Sequence, residues 1–126
     1  MVPSALMTYN HHTGDVLLSN LAIGGDASIK DVEGSVTLSD SNLSLEDISI
    51  IQVTENVTVE DNTDLNLTVE EVEGAVTISG NMIDIASMNK NIGGIDITGS
   101  TITTLSCSDN TPAPNGSGNT VGAPDG

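Results

Sequence analysis

Five stretches of this chain are variants of one another, spaced 19 to 21 residues apart. SVTLSDSN (35–42), NVTVEDNT (56–63), AVTISGNM (75–82) and GIDITGST (94–101) align on Val36, Val57, Val76 and Ile95, and DVLLSN places Val16 one spacing earlier. A second short segment recurs in phase: ASI (27–29), ISI (48–50), LTV (67–69), ASM (86–88) and LSC (105–107). Two weaker apolar columns follow nearly the same step, Leu43, Leu65, Ile83, Ile102 and Val32, Val53, Val72. A fixed period of this length marks a chain built from stacked repeats.

Within each segment apolar and polar residues alternate: Val36, Leu38, Val57 and Val59 point one way, Thr37 and Thr58 the other. Period-two alternation of β-branched residues predicts strands. Each strand is only a few residues long and is bounded by Gly, Asn, Asp and Ser, the residues that supply turns. Several short strands per repeat predict an all-β, single-domain parallel β-helix, or β-solenoid, of about five coils. Successive coils would lie ~4.8 Å apart, and strand chirality favours a right-handed winding. A thin aliphatic interior accounts for a chain with one Tyr, no Phe and no Trp. On this reading residues 1–14 are an irregular start or cap and 15–110 the solenoid. Residues 111–126 are a Pro/Gly/Asn-rich tail, either irregular or laid across the last coil.

Charge narrows the partners. Eighteen Asp and Glu stand against two Lys, a net charge of −16. Such a chain cannot neutralise phosphates, so nucleic acid is excluded as a partner, and an anionic membrane surface is disfavoured. No apolar run approaches the ~20 residues that span a bilayer. No secretory signal is visible either, which makes a fragment of a longer exported chain the working expectation. One cysteine forms no internal disulfide.

The closing stretch LSCSDNTPAPNGSGNTVG (105–122) resembles the end of uncharacterised exported bacterial right-handed parallel β-helix proteins of the pectin-lyase-like superfamily. Cys107, Asn110, Pro112, Pro114, Gly118, Asn119, Val121 and Gly122 match that pattern. Its second Cys has no counterpart before the final APDG, so the closing disulfide that the resemblance implies lacks a partner for Cys107. The resemblance implies a secreted or cell-surface location and brings no catalytic residue.

Two outward columns are candidate ligand faces. One is Thr37, Thr58 and Thr77; the other is Ser28, Ser49, Thr68, Ser87 and Ser106. Threonines at coil spacing resemble the ice-binding face of β-solenoid antifreeze proteins, although Ser and Thr also simply suit exposed strand positions. Asp40, Glu60 and Asp61 fall at equivalent turns of adjacent coils, where a hard cation such as calcium would relieve stacked carboxylates. A solvated acidic surface suited to saline or extracellular conditions is the preferred explanation of them. Catalysis is not expected, because Lys30 and Lys90 are the only strongly basic side chains and lie far apart in the repeat. His11 and His12 fall in the start segment. The expected role is therefore non-enzymatic: structural, adhesive or self-assembling end to end outside the cell. Ice binding is the first alternative, and a calcium-stabilised polysaccharide-binding helix the second.

Overall fold

The alternating segments are strands in the computed structural model, which describes residues 7–19, 26–111 and 115–125. The first seven are β1 (Met7–Thr13), β2 (Val16–Ser19), β3 (Ala27–Glu33), β4 (Val36–Ser39), β5 (Asn42–Val53), β6 (Val57–Glu60) and β7 (Thr63–Val72). The chain continues through β8 (Val76–Ser79), β9 (Met82–Asn89), β10 (Ile95–Thr98), β11 (Thr101–Ser108), β12 (Asn115–Ser117) and β13 (Thr120–Asp125). No helix occurs among the described residues.

Odd-numbered strands form one sheet in the order β1-β3-β5-β7-β9-β11-β13, and even-numbered strands the other, β12-β10-β8-β6-β4-β2. Every pairing is parallel. Strands two apart in sequence are therefore neighbours, which is the topology of a β-solenoid of about five turns. The alignment of the repeats is the register of the sheets: Val16, Val36, Val57, Val76 and Ile95 pair in succession. So do Ala27, Ile48, Leu67, Ala86 and Leu105.

Inward residues form one continuous aliphatic core, and Ile29, Val36, Ile50, Val57, Leu65, Val69 and Ile78 are fully buried. No coil could bury these faces alone; each is covered by the coils above and below it, so stability resides in stacking.

The solenoid turns at residues in the left-handed backbone region, arranged in columns. One column is Asp40, Asp61, Gly80, Gly99 and Gly118, with φ from 51° to 66°. A second is His11, Asp31, Gln52, Glu71, Lys90 and Asp109, with φ from 54° to 61°. A single left-handed residue breaks the strand alternation, and the residue after it turns inward. Val32, Val53, Val72, Asn62 and Asn81 are all buried immediately after such a bend.

One feature differs from the expectation drawn from the repeats, and two carry the sheets into the chain's ends. Leu43 does not stand below Leu65: Asn42 pairs with Thr63 and Glu46 with Leu65. The two extra residues of that coil are thus absorbed between Asn42 and Glu46. The start segment carries β1, whose Met7 and Tyr9 pair with Ala27 and Ile29. The Pro/Gly/Asn-rich tail carries β12 and β13, which add strands to both sheets. Leu6, Pro112 and Pro114 lie outside the described residues.

Candidate functional site

The solenoid lines up equivalent residues, so its chemistry is a matter of ranks along the axis. Thr37, Thr58 and Thr77 pair directly, making a straight three-residue rank on the outer face of the even-numbered sheet. The rank is bounded by Leu17 below Thr37 and Asp96 above Thr77. Leu17 is 70 % exposed. The hydroxyl column of the other sheet is longer: Ser28, Ser49, Thr68, Ser87 and Ser106 pair in unbroken succession, all half-buried. Beside it lies a shallow groove of about 340 Å³, whose far wall is Glu70, Asn89 and Ser108. The repeat thus brings together the residues expected to share a face.

Asp40 and Asp61 have a conformational job. Both occupy the left-handed turn that Gly80, Gly99 and Gly118 occupy in later coils, and Asp tolerates that region better than most residues. The Asp40 amide donates to the Glu60 carbonyl, and the Asp61 amide to that of Ser79. The Asp61 carboxylate leans over the next coil, where a Cβ on Gly80 would meet its Oδ1 at 2.5 Å. Glu60 lies between Ser39 and Ser79 in the ladder, so neutral residues flank its carboxylate on both coils. Among the described residues, no group of three or more acidic, His or Cys side chains is arranged to hold a metal ion.

The polar features that organise the turns were not singled out in the sequence. Ser41, Asn62, Asn81, Ser100 and Asn119 follow the left-handed residue of each coil and form a ladder inside the solenoid. Asn62 Oδ1 accepts from the Ser41 amide at 3.0 Å, and Asn62 Nδ2 donates to the Leu38 carbonyl at 3.0 Å. Asn81 repeats both bonds one coil higher, to the Asn62 amide and the Val59 carbonyl. Asn119 repeats them again, to Ser100 and Ile97. A second ladder begins at Asn91, which accepts from the Val72 amide and donates to the Val69 carbonyl, with Asn110 above it. These side chains satisfy backbone groups that the bends withdraw from the sheets, and buried polar groups are stable only when so paired. No buried side-chain polar atom among the described residues lacks a partner. The signal was present, because the first ladder keeps the separations of the valine columns.

A larger trough, about 630 Å³, runs along the second bend. Asp31, Gln52, Glu71 and Lys90 line one side, and Thr54, Glu73 and Ile92 the other. It is open and charged. At its foot His11 Nδ1 and Asp31 Oδ2 stand 2.8 Å apart, and this hydrogen bond and its charge raise the His11 pKa above the ordinary value. Cys107 pairs with Met88 and is partly covered by the core, and burial raises its thiol pKa. It is therefore a poor nucleophile at neutral pH. No family model, no curated protein and no solved structure matches the chain.

Proposed function

We propose that this protein is a non-enzymatic, extracellular or cell-surface solenoid with a structural or adhesive role, akin to exported bacterial β-helix proteins. The observation that carries the reading is the unbroken hydroxyl rank Ser28, Ser49, Thr68, Ser87 and Ser106 with the groove beside it. Hydroxyls repeating every ~4.8 Å on a rigid sheet suit the hydroxyls of an extended neutral polysaccharide. The net charge of −16 disfavours an anionic one. Retention of the purified chain on neutral polysaccharide beads tests this. Thr68→Glu with Ser87→Glu should abolish retention and leave the melting temperature within a few degrees of the parent. Equal retention of the double variant, or turnover of the glycan, would overturn the reading.

A second reading, ice binding, rests on the direct pairing of Thr37, Thr58 and Thr77. It calls for thermal hysteresis that Thr58→Leu removes.

A further inference from the structure

We infer that two copies of this chain dock through their N-terminal edges, β2 against β2 about a two-fold axis, and that the C-terminal edge is the poorer template for the same contact. This refines the end-to-end association expected of a bare solenoid. It stands on the sheet edges alone, independent of the polysaccharide reading.

The two ends differ in backbone chemistry. At the N-terminal end β2 has a single neighbour among the described strands, β4. The Val16 amide donates to Ser35, in the coil above. N–H groups alternate in direction along a strand, so the Leu17 N–H faces the free edge. The edge reads Val-Leu-Leu-Ser, with no charge and no proline. Its Leu17 side chain is the most exposed large apolar group among the described residues, at 70 %. A flat apolar edge of this kind is a template for strand pairing.

The C-terminal end is the poorer template in both sheets: β13 loses a donor, and β12, although its Gly116 N–H faces outward, offers no apolar side chain. The amides of Asp47 and Ile85 donate to side chains of the coil below, Asp26 and Asn66. By the same alternation the next position in each coil sends its N–H upward. That column is Ile48, Leu67, Ala86, Leu105 and, on the last strand, Pro124. Proline has no N–H, so the outer edge of β13 loses a donor where a further strand would need it. In β12, Gly116 stands over Ile97, so the column Leu18, Leu38, Val59, Ile78, Ile97 ends without an apolar side chain.

Charge selects the second copy and its orientation. Thirteen of the eighteen carboxylates lie between Asp26 and Glu73, whereas residues 7–19 contain only Asp15, beside His11 and His12. Copies approaching side by side would bring two acidic girdles together. Copies meeting at their N-terminal ends keep the girdles apart. Pairing through the N-terminal end, the better template, gives an isologous contact that closes at two.

Sedimentation velocity of the full chain at about 1 M NaCl, where the screening length is ~3 Å, reads the outcome. The parent should run at twice the chain mass. Leu17→Glu, at an outward position, and Leu17→Pro, which removes the N–H facing the outer edge of β2, should run at the monomer mass with unchanged circular dichroism. A parent that stays monomeric, one that grows beyond two, or a dimer that survives in both folded variants would overturn the proposal. Each result is obtained without any glycan and leaves the polysaccharide reading untouched.

Discussion

Asn81 is 1 % exposed, and its amide group hydrogen-bonds on both sides of the bend in the coil below. Oδ1 accepts from the backbone N–H and the Nδ2 of Asn62 at 3.0 Å, while Nδ2 donates to the Val59 carbonyl at 2.8 Å. Asn81→Ala takes one partner from the Asn62 N–H, the Val59 carbonyl and Asn62 Nδ2 in a buried site, and only Asn62 Nδ2 keeps another, the Leu38 carbonyl. Each buried orphan costs roughly 1–3 kcal/mol, so the variant should lose about 3 kcal/mol of stability. Urea denaturation, with a lower midpoint at an unchanged slope, is the check. His11 gives a smaller effect with a definite sign. Asp31 raises its folded pKa above the ordinary 6.5. The stabilising contribution is therefore fully present below pH 6.5, the unfolded value, and is lost as pH rises through the higher folded value. Amide exchange in β1 should quicken across that window in the parent, and His11→Gln should flatten the dependence.

At a third bend three coils meet their neighbours through glycine. Gly14, Gly34, Glu55, Gly74 and Gly93 occupy equivalent positions, and at Gly34, Gly74 and Gly93 the carbonyl of the coil below lies against the Cα. A Cβ on Gly34 would stand 2.5 Å from the Gly14 oxygen, and Cβ atoms on Gly74 and Gly93 would collide with the carbonyls of Glu55 and Gly74. Neither oxygen can swing aside without shifting a coil. Gly74→Ala should therefore cost roughly 2–3 kcal/mol, the upper range of an overpacked site; a melting temperature equal to the parent's would contradict it. How far these elements are legible in the sequence depends on whether one residue type recurs. The strand columns were legible because Val, Ile and Leu repeat with period two. The ladder of Ser41, Asn62, Asn81, Ser100 and Asn119 repeats as faithfully, but a polar residue following Asp or Gly is easily taken for part of an exposed turn. The bend at His11, Asp31, Gln52, Glu71, Lys90 and Asp109 was illegible. Six residues share a left-handed conformation there, and nothing in their side chains announces it. Leu43 failed for another reason. Two extra residues can be placed anywhere in a turn without changing the period, and only the pairing of Glu46 with Leu65 locates them.

Over the whole molecule, stacking and charge pull in different directions. A solenoid is stabilised by nearest-neighbour contacts, so its central coils should be the last to open and its ends the first. The carboxylates, however, are concentrated on those same central coils, thirteen of eighteen between Asp26 and Glu73. The register softens the conflict: Glu60 stands between two serines, and Glu70 between Ile51 and Asn89. It does not remove it, since Asp47 remains above Asp26, its amide donating to the Asp26 carboxylate. Like charges ~5 Å apart in water repel by about 1 kcal/mol unscreened, and the screening length falls from ~30 Å at 0.01 M salt to ~3 Å at 1 M. Sodium chloride should therefore raise the melting temperature steadily across that range. Amide exchange should show where the gain lies. In the monomeric Leu17→Glu variant, protection in β5 to β8 should rise more than protection in β1, β2 and β11, so that the centre stands well above the ends at high salt and only slightly above them at low salt. A melting temperature that fell with salt, or a gain spread evenly over all coils, would mean that the acidic girdle does not load the centre of the stack.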